Sequence, residues 1–321
     1  MTQPGRLEVV APDGVPEVLD GDDVVALLLP LVDLVDGDIV VVTSKVVSKA
    51  EGQVRSGTRE SALAGETVRV VARRGETAIV RNRLGLTMAA AGIDGSNVPS
   101  GTIVLLPRDP DASARAMREA IRERTGVNAG VLVSDTAGRA WRDGQTDIAI
   151  GAAGVVVAEA YAGRTDAHGN ELAVTLPAVA DEICGAAELA AGKLGGRPFT
   201  VVRGRPDLVL RPGEHGPGAA ALIRPEGGDL FGFGAREAVL RALRAEPGDR
   251  AAFGAPVPTE ELVEVIRDTV GLHASGSAGD TLLVTVPRGL ARPLRAIAFA
   301  HGWIVDKTDN PHEVRLRPDH T

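Results

Sequence analysis

The stretch GDIVVVTSKVVSKAEG, residues 37–52, joins a short apolar run to a polar segment that contains two lysines. Ile39–Thr43 is apolar up to its final threonine, which is typical of a strand buried on both faces. The segment Thr43–Lys49 then brings hydroxyl and ammonium groups to the end of that strand, where they suit contacts with phosphate. A solvated connection between the strand and a helix explains the same residues, so both interpretations stay open.

Similar apolar runs elsewhere in the chain predict further buried strands. These runs are Ile103–Leu106, Ala129–Ser134 and Phe199–Arg203. Helices are predicted where good helix formers coincide with helical apolar spacing. The clearest are Asp111 to about Arg124 and Pro177–Lys193.

A change in composition divides the chain. Pro206–Gly218 holds three prolines and three glycines, which is typical of a boundary between domains. Five of the eight aromatic residues follow residue 230. We therefore expect one domain over residues 1–210, a linker over 211–221 and a small separate domain over 222–321.

Composition excludes several classes of protein. With 44% hydrophobic residues in 321, the chain can build a packed core, which argues against disorder. A formal net charge of -8 argues against nucleic acid or an acidic membrane as partner. No apolar span reaches about 18 residues and the N-terminus lacks a signal-peptide pattern, so we expect a cytoplasmic protein. The single cysteine, Cys184, excludes an intrachain disulfide and a cysteine-based metal cluster.

Lysine is rare in this chain. The sequence has 31 arginines and four lysines, and two of the four, Lys45 and Lys49, lie in the polar segment after the first apolar run. Because an ammonium group is a compact point charge, lysines retained against this background indicate a function. Chance clustering is the alternative.

Two further polar segments adjoin predicted strands. Gly92–Asn97 contains Asp94, whose oxygens suit a hard cation such as Mg2+ or Mn2+, although an Asx-type turn bonded only to its own backbone is the alternative. Ser134–Arg139 places Asp135 at a strand end, as in metal-holding sites of nucleotide-dependent enzymes, or as in a strand that leaves the core and caps a helix. Together the three segments suit a metal-bridged nucleotide phosphate site.

Seven segments, taken in order, carry a resemblance to a known family. They are Gly37–Gly52, Ala91–Asn97, Leu106–Asp111, Val133–Arg142, Gly163–Gly169, Ala180–Glu182 and Val202–Gly204. In this order they resemble the coenzyme F420-0:L-glutamate ligase family, over about residues 6–210.

The resemblance implies an α+β fold of two subdomains and a homodimer, to which residues 222–321 would add a small α+β extension. It implies a GTP-dependent ligase that joins L-glutamate to the carboxylate of coenzyme F420-0 and then adds gamma-linked glutamates. The implied mechanism forms an acyl phosphate and releases GDP and phosphate.

The resemblance also implies roles for individual residues at matching positions. Contacts with GTP are assigned to Val15, Pro16, Glu17, Val18, Ser44, Lys49 and Asn97. Mg2+ or Mn2+ is assigned to Asp94, Asp135 and Thr136, with K+ as a further candidate ion. The expected catalytic residues are Lys49, Asp94 and Asp135.

The C-terminal part departs from the resemblance. Longer actinobacterial relatives continue with a flavin-binding reductase domain of about 200 residues. The segment Asp229–Ala238 of this chain resembles the beginning of that domain. The remaining residues are too few to complete that domain, so FMN and reductase activity are not predicted. Two alternative functions stay open, namely a ligase that glutamylates another small acid and a protein that binds deazaflavin or GTP without catalysis.

Overall fold

The structure, a computed structural model, describes residues 5–278 and 280–320, which divide into two units. The first unit contains the described residues up to Val70 together with Gly75–Ile223. The second contains Val71–Arg74 and the described residues from Arg224 onward. Both units contain helices and sheets, so the expected α+β class is confirmed.

The strands that begin in the described part of the first unit are β1 (Glu8–Val10), β2 (Ile39–Thr43), β3 (Val54–Ser56), β4 (Thr67–Arg74), β5 (Thr77–Asn82), β6 (Thr87–Ala89), β7 (Thr102–Val104), β8 (Gly130–Arg139), β9 (Arg142–Ala153) and β10 (Phe199–Arg203). Its α-helices are α1 (Val24–Leu28), α2 (Ser44–Ala50), α3 (Arg59–Glu66), α4 (Pro110–Thr125) and α5 (Val179–Ala191). Single turns of 3-10 helix occur at Leu29–Leu31, Ala90–Gly92, Pro206–Leu208 and Ala219–Leu222.

A five-stranded sheet forms the centre of the first unit, in the order β1-β10-β2-β8-β9. Strand β2 runs parallel to β8, and the other neighbouring pairs are antiparallel. Val40 and Val42 of β2 belong to one hydrophobic core, and Ile39 and Val41 belong to another. Because successive side chains of a strand point to opposite faces, β2 is buried on both faces, as its apolar run predicts.

The two longest helices of this unit cover the two faces of that sheet. Helix α4 contributes Met117 and Ile121 to the core that contains Val40. Helix α5 contributes Ile183 and Cys184 to the core on the other face. Both helices follow the sequence prediction to within two residues at either end.

Helix α4 shows why its ends are readable in the sequence. Asp109 caps its first turn by accepting the N–H of Ala112 at 3.0 Å, and Pro110 occupies the first helical position. The helix ends at Gly126, whose φ of 76° is a left-handed conformation that favours glycine. Within residues 5–278 and 280–320, no helix is long and apolar enough to cross a membrane.

The first unit also has two smaller sheets, which are formed mainly by the residues between β2 and β8. Strands β4, β5 and β6 form one, and β3 pairs with β7 in the other. Asp94 joins the second by an isolated antiparallel bridge to Val104. Val80, Ile93 and Ile103 share a small core of their own. This core fixes the backbone of the polar turn that follows Ile93.

Residues 211–221, the expected linker, lie inside the first unit. Asp111 Oδ1 accepts the N–H of Ala219 at 2.7 Å, and the Arg118 guanidinium donates to the carbonyl of Arg211 at 3.1 Å. Polar groups distant in sequence therefore hold this proline- and glycine-rich segment. The division between units comes two residues after it.

The second unit is the small α+β unit that the sequence predicts. Its helices and strands are α6 (Ala235–Arg244), α7 (Thr259–Val270), β11 (Ala274–Ala278), β12 (Thr281–Thr285), α8 (Ala291–Ala300), β13 (Trp303–Lys307) and β14 (Glu313–Pro318). The strands form an antiparallel sheet in the order β11-β12-β14-β13. Trp303 is buried with Leu262 and Leu294, and its Nε1 donates to the carbonyl of Val257 at 3.0 Å.

Candidate active site

The parallel strands β2 and β8 bring two of the predicted polar segments together. Thr43 pairs with Ser134 in the parallel register, so the residues that follow them, Ser44 and Asp135, are neighbours. Ser44 Oγ donates to Asp135 Oδ1 at 2.7 Å. The first and third polar segments of the sequence therefore meet at one edge of the central sheet.

The polar segment after β2 is a helix. Helix α2 begins at Ser44 directly after the strand, and Val46, Val47, Ser48 and Lys49 are all buried. The interpretation of this segment as a solvated connection is therefore wrong. The reason is that the two valines complete the core under β2, which draws the hydroxyl and ammonium groups of the same helix into the protein.

Asp94 lies in a turn and also pairs with charged side chains. Its Oδ1 accepts the N–H of Ser96 at 2.8 Å, which is an Asx turn. Its Oδ2 lies 2.6 Å from Lys45 Nζ, and Oδ1 lies 3.2 Å from Arg59 Nη2. The turn interpretation is thus correct in part, because the carboxylate does not bond only its own backbone.

Opposing effects set the ionisation of Asp94. Burial raises the pKa of this carboxyl group. The hydrogen bonds from Lys45 and Ser96 and the charge of Lys45 outweigh burial and hold that pKa well below its usual range. Asp94 is therefore a permanent negative charge at this site.

Asp135 is in the opposite situation. Burial raises the pKa of Asp135 to about 6, the charges of Asp147 and Asp94 add to the rise, and the hydrogen bond from Ser44 opposes it. Consecutive residues at the start of α2 contact the two carboxylates, since Ser44 bonds Asp135 and Lys45 pairs with Asp94.

Lys49 links α2 to the segment predicted to contact GTP. Its Nζ donates to Glu17 Oε1 at 2.5 Å, although the Lys49 side chain is only 10% exposed and that of Glu17 is 70% exposed. Of the neighbouring predicted residues, Val18 is buried, Val15 is half-buried and Pro16 is exposed. Residues 15–18 therefore join the site through this ion pair.

Asn97 lies near the site because it follows Ser96 in the same turn. Its side chain is exposed, and its φ of 54° is a left-handed conformation that asparagine tolerates. Its amide is thus presented beside the Asp94 turn.

Thr136 belongs to a different set of contacts. Strand β8 continues through it to Arg139 and turns into β9, so the helix-cap interpretation of this segment is wrong. Thr136 Oγ1 lies 2.8 Å from Asp147 Oδ1 and accepts from Lys193 Nζ at 3.0 Å. In the described part of the chain its side chain contacts neither Asp94 nor Asp135, since neighbouring residues of a strand point to opposite faces.

Asp147 is a site residue that sequence reasoning missed. It is 5% exposed, and Ser134 Oγ donates to its Oδ2 at 3.1 Å. The available signal was an aspartate at the start of the apolar run 148–153, which is an unusual place for a charge in a buried strand.

Three of the four lysines contact candidate residues. Lys45 pairs with Asp94 and Lys49 with Glu17, and Lys193 donates to Thr136. This distribution agrees with a function for these lysines, and chance clustering stays the alternative. In each of these contacts a compact ammonium group lies beside a carboxylate or a hydroxyl group of a candidate residue.

The oxygen atoms around Asp94 already surround one positive charge. Lys45 Nζ lies among Asp94 Oδ2, Ser96 Oγ and the Ser96 carbonyl at 2.6–3.0 Å, so a positive charge is already accommodated by three oxygens. In residues 5–278 and 280–320, no three or more His, Cys, Asp or Glu side chains are grouped as a metal site. A cation at Asp94 and Asp135 would complete its ligands with hydroxyls, water or substrate phosphates, as Mg2+ commonly does.

A family model described as F420-0:Gamma-glutamyl ligase matches residues 14–204 of the chain. That range includes all the candidate residues named above.

Relatives named coenzyme F420:L-glutamate ligase are similar to this chain over most of their own length. The Archaeoglobus fulgidus protein is 40% identical over 219 residues, which cover 62% of this chain and 88% of the relative. The Haloarcula marismortui protein is 40% identical over 223 residues, which cover 61% of this chain and 87% of the relative. The Methanopyrus kandleri protein is 37% identical over 237 residues, covering 67% and 93%.

Proposed function

The chain belongs to the F420-0:Gamma-glutamyl ligase family, and on this premise we propose that it joins L-glutamate to the carboxylate of coenzyme F420-0, with GTP as phosphate donor. Further glutamates would follow in gamma-linkage, and the cytoplasm is the proposed location. One observation supports the proposal above others: Ser44 bonds Asp135 at 2.7 Å, and the next residue of the same helix, Lys45, pairs with Asp94 at 2.6 Å. Side chains suited to a nucleotide phosphate and its cation thus converge from three separate segments.

The proposed reaction has two steps. An oxygen of the F420-0 carboxylate attacks the γ-phosphorus of GTP, and the bond from that phosphorus to the bridging oxygen breaks, so GDP leaves and an acyl phosphate remains. The amine of glutamate then attacks the acyl carbon, loses a proton and displaces inorganic phosphate. In such phosphoryl transfers the protein contributes mainly positioning and charge stabilisation.

Lys49 and Ser44 are the proposed contacts with the phosphates of GTP. The Lys49 ammonium is buried on α2 and oriented by Glu17, so it loses little side-chain entropy when an anion binds. The remaining proposed GTP contacts are Val15, Pro16, Glu17, Val18 and Asn97.

Asp94, Asp135 and Thr136 are the proposed ligands of Mg2+ or Mn2+, with K+ as a further candidate ion. A bound divalent cation would neutralise charge that develops on the phosphate oxygens. Asp94 suits this role because it stays ionised, and Asp135 because its carboxyl group is ionised above a pH of about 6.

The central experiment replaces Asp135 by Asn and measures glutamylation of F420-0 by mass spectrometry. We expect turnover to fall at least about 100-fold, because a charge aimed at the reacting phosphate is lost. The matched control is Asp143→Asn, an exposed carboxylate on the same β8–β9 hairpin, which should react like the unaltered protein. Undiminished turnover in Asp135→Asn, with the fold intact, would contradict the role of this residue.

A substrate panel tests the remaining specificity. Product should form with GTP and F420-0, and it should be greatly reduced when ATP replaces GTP. Product from another small acid, but none from F420-0, would favour the alternative glutamyl ligase. Tight GTP binding in calorimetry without phosphate release, when glutamate and F420-0 are present, would favour the non-catalytic alternative.

A homodimer is part of the proposal. Large apolar side chains of the first unit are almost fully exposed, which is uncommon unless another surface covers them. They include Val174, Leu189 and Leu194, at 93%, 88% and 99%. Light scattering should therefore report twice the chain mass of 33.2 kDa, and Leu189→Glu should shift the molecule toward the monomer.

A further inference from the structure

The polar residues of α2 form two pairs on its surface. Ser44 and Ser48 lie four residues apart, as do Lys45 and Lys49, and residues at this spacing are neighbours on a helix. Three of these four side chains contact a carboxylate of the candidate site, and the fourth is Ser48. Ser48 therefore belongs by its position to the same polar face.

The Ser48 hydroxyl is buried without a partner in the described part of the chain. The residue is 1% exposed, and among residues 5–278 and 280–320 no atom forms a hydrogen bond with its Oγ. Buried hydroxyls are nearly always paired, because an unpaired one has lost its hydrogen bonds to water and gained nothing in return. This hydroxyl therefore calls for a partner that the described chain does not supply.

The position of Ser48 on the helix directs its side chain toward the candidate site. At about 100° per residue, Ser48 lies about 40° from Ser44 and about 60° from Lys45 around the helix axis, so it falls between them. A helical side chain also tilts toward the N-terminus of its helix, which brings Ser48 over the turn that carries these two residues. Their contacts are with Asp135 and Asp94. The Ser48 hydroxyl thus points to the end of α2 where the two carboxylates lie.

We propose that Ser48 is a further phosphate-binding residue, whose hydroxyl donates to an anionic oxygen of the nucleotide. The inference rests on the proposed function, in which Ser44 and Lys49 contact the phosphates of GTP. Around the helix axis Ser48 lies between these two residues, so a phosphate that reaches both passes over its hydroxyl. A charged oxygen is a strong acceptor for a hydroxyl hydrogen.

A side chain has to move before a phosphate reaches Ser48, because its Oγ is closed to solvent in this structure. Lys45 lies one turn before it, and the Lys45 side chain is 23% exposed and ends in the ion pair with Asp94. Its stem is flexible. Transfer of the Lys45 ammonium from Asp94 to a phosphate would open the way to the hydroxyl.

The variant Ser48→Ala should have opposite effects on nucleotide affinity and on the stability of the free protein. GTP affinity should fall about 10- to 100-fold, the usual effect of losing a hydrogen bond to a charged group. The midpoint of urea unfolding without nucleotide should stay equal or rise, because an unpaired buried hydroxyl is removed and alanine favours the helix. Calorimetry with GTP and Mg2+, in the absence of glutamate and F420-0, measures the affinity on the full chain.

The matched control is Ser113→Ala, in which the hydroxyl that is removed is already paired. Ser113 Oγ on α4 donates to Glu51 Oε1 at 2.5 Å. The change should lower the urea midpoint, because Glu51 loses a hydrogen bond, and it should leave GTP affinity unchanged. The same atom is thus removed in both variants, and only Ser48→Ala should weaken GTP binding.

Unchanged GTP affinity in Ser48→Ala overturns the proposal, and a lower urea midpoint in that variant would show that the hydroxyl has a structural partner such as an ordered water. A loss of affinity that Ser113→Ala shares would also overturn it. So would a higher KM for F420-0 with unchanged GTP affinity, because Ser48 would then contact the acceptor. Absence of GTP binding by the unaltered protein would instead contradict the proposed function, and the inference would fall with it.

Circular dichroism of each variant establishes that the affinities refer to folded protein. Should Ser48→Ala fail to fold, Ser48→Cys supplies the same comparison, because a thiol has a similar shape and is only a weak donor. GTP affinity should fall in this variant as well. Wild-type affinity in Ser48→Cys would be evidence against a contact between Ser48 and the phosphates.

Discussion

At the scale of single residues, a buried ammonium on Lys49 is paired with an exposed carboxylate on Glu17. This arrangement keeps the charge in place while the partner stays hydrated. The ammonium group is thus already ordered, which suits its proposed contact with the phosphates of GTP at low cost in entropy.

Replacing Lys49 by Met should raise the KM for GTP about 10- to 100-fold, because a hydrogen bond to a charged group is worth roughly 1.5–3 kcal/mol. The fold should survive, since Glu17 remains hydrated. Steady-state kinetics with varied GTP measures the effect. Lys307→Met, a change in β13 of the second unit, is the control and should leave the KM unaltered. Equal KM values for both variants would remove Lys49 from the nucleotide site.

Asp181 predicts a pH dependence of stability. Burial raises its pKa above the usual value of 3.8, although the N–H of Ala149 donates to it at 2.9 Å. The folded state therefore holds the proton more tightly than the unfolded state, and wild-type stability is lost as pH rises through the folded pKa. Asp181→Asn keeps an accepting oxygen without the charge, so its stability relative to wild type should increase between pH 4 and pH 7.

Urea denaturation at several pH values checks this trend, and Asp13 provides a comparison of opposite sign. A hydrogen bond from Arg197 lowers the pKa of Asp13, so its contribution is lost as pH falls. The free energy of unfolding of Asp13→Asn should therefore fall furthest below that of the wild type at neutral pH. Parallel pH curves for Asp181→Asn and wild type would show that burial of Asp181 does not perturb its ionisation.

At the scale of elements, the start of α4 is packed closely against β9. A Cβ added to Gly151 would lie 2.3 Å from the carbonyl oxygen of Pro110, whereas one added to Gly138 of β8 would meet nothing within 4 Å. The absence of a side chain at Gly151 lets the start of α4 approach the sheet closely.

Gly151→Ala should therefore destabilise the protein by about 1–3 kcal/mol, the usual effect of overpacking. Gly138→Ala should change the free energy of unfolding little, since its added methyl group meets no atom. Urea unfolding curves of both variants make the comparison. Similar losses in the two variants would mean that contact with α4 is not the cause.

At the scale of the whole molecule, all proposed site residues belong to the first unit. The relatives named above cover 61–67% of this chain but 87–93% of their own length. This difference leaves about a third of the present chain outside the similarity.

Ending the chain after Ile223 should therefore leave glutamate ligation intact, because the central sheet, both of its cores and the site residues remain. Turnover of the shortened protein and its mass by light scattering are the measurements. A folded product that has lost activity or its dimeric mass would assign residues 224–321 a part in catalysis or assembly.

The sequence by itself determined the buried strands, the longer helices and the family. These follow from local chemistry, as in the apolar run of β2 or the caps of α4, whose signals lie within a few residues of one another. It also located Lys49, Asp94 and Asp135 as candidates. It missed the helix of Ser44–Ala50, because burial of that helix depends on partners elsewhere in the chain.

Only the tertiary structure decided which polar groups meet. The parallel pairing of β2 with β8 sets Ser44 against Asp135, and the β8–β9 hairpin sets Thr136 against Asp147. Such contacts join residues between 11 and 91 positions apart. Their physical origin is strand register, and for the parallel pair β2 and β8 that register depends on how two distant apolar runs are buried together in one sheet.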